Sequence, residues 1–116
     1  MTAEELIYAV LKNLAGGRIF PDVAPENTDL PYITYQAAGG PATNLLSADT
    51  PEKSQVRMQV NVWAATRLEA STLGAQVEAA IRAASDLQPE VLGGRVATYD
   101  EITKSRGTLQ EFYIFC

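Results

Sequence analysis

The sequence of 116 residues contains no histidine and a single cysteine, Cys116. Without histidine there is no Ser-His-Asp or Cys-His nucleophile system and no histidine-bearing zinc site. One thiol also excludes a thiolate cluster and an internal disulfide, so stability must come from packing, which suits a reducing compartment. Basic residues are scarce: nine Lys and Arg stand against fourteen Asp and Glu, a formal charge of −5. That is the wrong sign for counterion-release binding to nucleic acid. No apolar run reaches the roughly eighteen residues a membrane span needs. The opening "MTAEELIYAVLKNL" carries Glu4 and Glu5 where a signal peptide carries lysines. The expectation is a chain kept in the cytoplasm, with no membrane partner and no cofactor.

What is present is an ordinary globular composition, 47% hydrophobic and 20% charged. A chain of this length buries roughly two-thirds of its unfolded surface, enough for one core, so residues 1–116 are expected to form a single domain.

Thr2 followed by Glu5 is a capping box, and Leu6, Ile7, Val10, Leu11 and Leu14 make the apolar stripe of a first helix that Gly16-Gly17 ends. "RIF" reads as a short strand before "PDVAPENTDLP", whose prolines and turn formers deny regular structure. "YITYQAA" (32–38) reads as a strand closed by Gly39-Gly40-Pro41. The aperiodic "PATNLLSADTPEKS" is long for a loop, and its Leu45 and Leu46 either tuck back onto the core or reach for a partner.

"QVRMQVNVWAAT" alternates: Val56, Met58, Val60 and Val62 on one side, and Gln55, Arg57, Gln59, Asn61 and Trp63 on the other. Thr66 and Glu69 open a second helix, with Leu73, Val77 and Ile81 on its buried face. "RVATYDEI" (95–102), a "TKSRG" turn and "TLQEFYIFC" read as a closing hairpin. Phe112 and Ile114 point inward, and Tyr113 and Phe115 join the side of Trp63. Leu109 is out of phase with them, which predicts a bulge near Gln110-Glu111. The fold class expected is α+β: an antiparallel sheet of four to five strands with two amphipathic helices packed on one face.

No constellation for catalysis emerges, and the chain is not expected to be an enzyme. Glu4-Glu5 suit a first helical turn, and Asp100-Glu101 point apart as neighbours on a strand do. The Gly-Gly pairs lack the spacing of a phosphate cradle. Two features stay open. Lys104, Ser105 and Arg106 are either solvated turn charges or a contact for an acidic partner surface. Trp63 either packs at the sheet margin or is a binding hot spot.

The segments "GGRIFPDVAPENTDLPYITYQ", "VNVWAATRLEASTLGAQVEAAI" and "GTLQEFYIFC" together resemble the small tail-completion proteins of long-tailed phages and prophages, a group related to head-tail joining and tail-terminator proteins. The resemblance runs from the first helix to the last strand. Pro21-Asp22, Leu30 to Tyr35, and Val62-Trp63-Ala64 leading through Glu69-Ala70 are its most specific parts. It implies a structural virion protein that caps the finished tail tube as a ring, usually hexameric, and forms the head-tail joining interface. The implied partners are further copies of itself, the tail tube protein and the head-tail connector or neck protein, with DNA passing through without specific binding. The implied location is the host cytoplasm during assembly and the tail-neck region of the virion. On that reading Gln55, Arg57, Gln59, Asn61 and Trp63 meet a neighbouring subunit or the tube, with Tyr113 and Phe115 beside them. Asn44, Leu45, Leu46 and Ser47 dock on the tube, and Lys104 and Arg106 complete the contact set. A head-side neck or adaptor protein of the same junction is the nearest alternative, and a small-molecule-binding module a more distant one.

Overall fold

The computed structural model describes residues 1–42, 45–47 and 53–116. Helix α1 (Ala3–Leu11) starts on the capping box read from the sequence: the Glu5 amide donates to Thr2 Oγ1 at 3.2 Å and the Thr2 amide to Glu5 Oε1 at 3.4 Å. It ends sooner than the apolar stripe predicts, and a 3-10 turn over Ala15–Gly17 follows, with Gly16 in the left-handed region at φ 61°. Strands β1 (Ile19–Pro21), β2 (Tyr32–Ala37) and β3 (Gln55–Ala64) come next. Helix α2 (Arg67–Ala83) is capped by Thr66, whose Oγ1 accepts from the Glu69 amide at 3.1 Å. Strands β4 (Glu90–Val91), β5 (Val96–Tyr99) and β6 (Arg106–Phe115) complete the order.

These strands form one sheet in the order β1-β2-β3-β6-β4, with β5 also on β6. Every pairing is antiparallel except β1 with β2, which run parallel from Ile19↔Ile33 to Pro21↔Tyr35. The sheet is therefore mixed and six-stranded, where an antiparallel sheet of four to five strands was expected. The reason lies in the segment 22–31: it is long enough to carry the chain back to the start of the next strand, which a tight hairpin turn cannot do.

Both helices pack on one face of this sheet, as the alternation predicts. Ile7 and Leu11 of α1 and Leu73, Val77 and Ile81 of α2 share one core with Ile33, Met58, Val60, Val62, Phe112 and Ile114. Each such side chain contributes about 1.5–3 kcal/mol by leaving water. Gly74 brings α2 close to the sheet edge: a Cβ there would stand 2.8 Å from both Arg95 Cδ and Thr108 Oγ1.

Two readings of the closing hairpin are corrected. β5 stops at Tyr99, because Asp100 Oδ1 accepts the Ile102 amide at 2.9 Å and the Thr103 amide at 3.4 Å and folds the chain into the turn. No bulge occurs at Gln110-Glu111: the β3–β6 register is unbroken from Gln55↔Phe115 to Ala64↔Arg106. Gln110 instead takes an inward position and is only 5% exposed. Its Nε2 donates to Glu78 Oε1 and to the Gly93 carbonyl, both at 2.9 Å. Leu109 therefore lies on the outer face, opposite Val96.

Candidate interaction face

The face turned away from the helices carries the side chains singled out on β3. Gln55, Arg57, Gln59, Asn61 and Trp63 alternate with the inward Val56, Met58, Val60 and Val62. Cross-strand register sets Tyr32 beside Trp63, Thr34 beside Asn61 and Gln36 beside Gln59 on one flank. On the other flank Phe115 stands beside Gln55, Tyr113 beside Arg57, Glu111 beside Gln59 and Leu109 beside Asn61. The expected outward placing of Tyr113 and Phe115 holds.

Polar groups on this face are already partly paired with one another. The Arg57 guanidinium forms a salt bridge through Nε with Glu111 Oε2 on the diagonal across β3 and β6. That hydrogen bond holds the Glu111 carboxyl below its ordinary range and pushes Arg57 further up, so both stay charged. Gln36 Nε2 donates to Gln59 Oε1 at 3.3 Å. Sequence reasoning singled out Arg57 but missed Glu111, since only the strand register brings the two together.

Trp63 has a packing role that the sequence left open. A Cβ on Gly107, the residue opposite it, would lie 2.8 Å from Trp63 Cε3, 2.5 Å from the Val62 carbonyl oxygen and 2.6 Å from Thr98 Oγ1. The indole occupies the space that any larger residue at 107 would need. Thr98 Oγ1 beside it is buried without a hydrogen-bond partner among the described residues. Behind the sheet, Arg67 at the start of α2 donates to the Gly107 carbonyl at 2.6 Å and the Thr98 carbonyl at 2.7 Å, which fastens this corner to the helix.

The remaining residues fall into separate places. Trp63 and Gln55 mark opposite ends of β3, about 27 Å apart at an antiparallel rise of ~3.4 Å per residue. Lys104 and Arg106 belong to the Trp63 end, where Arg106 lies opposite Ala64. Arg106 is not a free charge: its guanidinium sits 4.8 Å from the centroid of the Tyr99 ring, and its Nη1 donates to the Lys104 carbonyl at 2.8 Å. Ser105 is buried and bonded to Thr103 Oγ1 at 2.6 Å. The expected basic cluster thus reduces to Lys104, exposed in the left-handed region at φ 61°. Leu45, Leu46 and Ser47 lie in the β2–β3 connection, which leaves the sheet at the Gln55 end. Leu46 is fully exposed and Leu45 nearly half so; neither tucks into the core. Asn44 lies outside the described residues.

A cleft of about 480 Å³ opens at the Trp63 end between the segment Ala24 to Thr28, Tyr32 and the turn residues Thr103 and Ser105. Burial, and then the nearby Asp100, raises the Tyr32 hydroxyl pKa. No cluster of three potential metal ligands exists among the described residues, and none of the described helices is long and apolar enough to cross a membrane.

The arrangement offers a half-exposed sheet face of amides, aromatic rings and one ion pair, with Thr34 buried within it and exposed apolar residues at both ends. Such a surface suits contact with other proteins. No curated protein matches the chain. Residues 6–110 match the family model described as tail completion protein gp17. The chain belongs to this tail completion protein family, and its role is that of a structural component of a phage tail.

Proposed function

We propose that the chain, acting as one unit over residues 1–116, is the tail terminator: copies close into a ring on the end of the tail tube, stop its growth and form the surface to which the filled head joins. Family membership supports the tail, and the observation that carries the finer reading is the half-exposed outer face of the sheet, free of the two helices. Its amides exchange water for partner hydrogen bonds at little net cost, and its rings and methyl groups provide the apolar area.

A ring needs a head-to-tail interface between two different patches of the same chain. Each junction then buries on the order of 1,200–2,000 Å². The acidic balance of the chain supports a lumen through which DNA slides without sticking. Assembly takes place in the host cytoplasm, with the tube protein below and the head-tail connector above.

The test is a joining assay. Tails assembled without this protein are mixed with filled heads, with and without the purified chain. Infectious particles appearing only when the chain is added support the proposal. Binding to isolated heads but not to tails would move it to the head side of the junction.

A further inference from the structure

The cleft at the Trp63 end is framed from opposite flanks of β3, by the segment 22–31 that joins β1 to β2 and by the β5–β6 turn. Tyr32 lines it and also stands beside Trp63 on the outer face, so the cleft continues that face past the end of the strand. Both lips are preformed. On one, Thr28 Oγ1 donates to the Pro25 carbonyl at 2.5 Å, the Val23 amide to the Pro21 carbonyl at 2.8 Å and Arg18 Nε to the Pro31 carbonyl at 2.8 Å. On the other, the Asp100 amide donates to the Ser105 carbonyl at 3.0 Å, and the Asp100 carboxylate takes the Ile102 and Thr103 amides. Walls held in this way order few further groups when the cleft is filled.

Charge indicates the occupant. Residues 22–31 and 100–106 carry five carboxylates, on Asp22, Glu26, Asp29, Asp100 and Glu101, against Lys104 and Arg106, which is −3 of the chain's −5. Neither cation lines the cleft, and Arg106 is held over the Tyr99 ring. Glu26 does line it, has no ion pair among the described residues, and meets no Lys or Arg among the described lining residues. Burial and Asp100 keep the Tyr32 phenol neutral, so its ring remains a surface for a cation to stack on. The same sign of charge turns away a phosphate backbone.

We infer that this cleft docks a short basic segment of a partner protein at the tail end, with an arginine side chain against the Tyr32 ring and its guanidinium on the Glu26 carboxylate. Arginine suits the site better than lysine, because its planar fork binds a carboxylate while its face lies on an aromatic ring. A volume of about 480 Å³ falls within the ~300–1,000 Å³ of ligand sites and admits the side chain with the backbone on either side of it. The inference rests on the outer face being a contact surface, adds the chemistry of what it contacts, and does not require a ring.

Amide resonances of the isotope-labelled full chain, titrated with capped Gly-Arg-Gly and Gly-Gln-Gly peptides, test it. The arginine peptide is expected to move the amides around Glu26, Tyr32 and Thr103 saturably, and the glutamine peptide to bind about threefold or more weakly. Glu26→Gln, checked by a thermal melt, is expected to weaken the arginine peptide by a similar factor, the worth of a solvent-exposed ion pair. Shifts that do not saturate, that scatter over every surface carboxylate, or that are equal for the two peptides overturn the proposal. An affinity unchanged by Glu26→Gln also overturns it. The joining assay is read separately, so failure of the cleft leaves the terminator reading standing.

Discussion

The indole of Trp63 covers Gly107 on the neighbouring strand, so that a Cβ at 107 would stand 2.8 Å from Cε3 and 2.5 Å from the Val62 carbonyl oxygen. The tryptophan on an otherwise polar face is first of all the lid of a glycine. It fills the hole that Gly107 leaves on the outer face and shields Thr98 beneath it.

Gly107→Ala is accordingly expected to destabilise the chain by about 1–3 kcal/mol, because one of the atoms it meets is backbone and cannot yield cheaply. Trp63→Ala should cost a similar amount by uncovering the glycine, while Trp63→Phe should cost less than half of that. Urea unfolding of the three variants measures this. A Trp63→Ala variant as stable as wild type would return Trp63 to a pure contact role.

Gly74 makes the converse prediction on the other face. Alanine is the better helix former by about 1 kcal/mol, yet its Cβ would press on Thr108 Oγ1 and on Arg95 Cδ, each at 2.8 Å. Arg95 holds Glu78 through an Nη1 to Oε1 contact of 2.9 Å, so displacing it also loosens that pair. Gly74→Ala is expected to lower stability despite its helix propensity, by about 1 kcal/mol net; a stabilised variant would contradict the close approach.

Acid sensitivity follows from two carboxylates. Glu78 is held below the ordinary carboxylate range mainly by Gln110 and then Arg82, and Glu111 mainly by Arg57. A depressed folded pKa contributes stability that is complete above the unfolded value, about 4.3. That contribution is lost as pH falls through the folded value. Denaturation midpoints should thus hold from neutrality to about pH 5 and decline below it. Replacing both residues by glutamine should lower the midpoint at neutral pH and flatten the acid limb. An acid limb of undiminished slope in that double variant would assign the sensitivity elsewhere.

The tube contact expected of Leu45 and Leu46 is open to a direct test. Both are exposed, so Leu45→Ser with Leu46→Ser should leave the melting temperature within a degree or so of wild type, the range of surface changes. Attachment to tail tubes is expected to be lost. Co-sedimentation with tubes reads this directly, and undiminished attachment would remove the two leucines from the interface.

Much of this was legible from periodicity. The alternation of β3, the capping box at Thr2 and the N-cap at Thr66 define elements locally, and the structure has them; the second box expected at Thr66 is half formed, because Glu69 Oε1 accepts from the Ala65 amide instead of the Thr66 amide. Strand direction was not legible: nothing in Ile19 to Pro21 says which way it lies against Tyr32 to Tyr35. Leu109 misled for a specific reason. It is out of phase with Phe112 and Ile114, which suggested a bulge, whereas the ladder runs unbroken and Gln110 takes the inward position. Glu78 on a distant helix holds the Gln110 Nε2 at 2.9 Å, while its Oε1 is left without a partner among the described residues. The Arg57–Glu111 pair was hidden in the same way, since it depends on a register between strands far apart in sequence. Of the face itself, the outward β3 row could be read from the sequence; the aromatic cover over Gly107 and the commitment of Arg106 to Tyr99 could not.

The central claim is that the chain ends tail growth, and the most direct measurement is electron microscopy of tail tubes polymerised with and without it. The account predicts tubes of limited length bearing a closed ring at one end when the chain is present, and overlong tubes with bare ends when it is absent. Equal length distributions with bare ends in both preparations would contradict it.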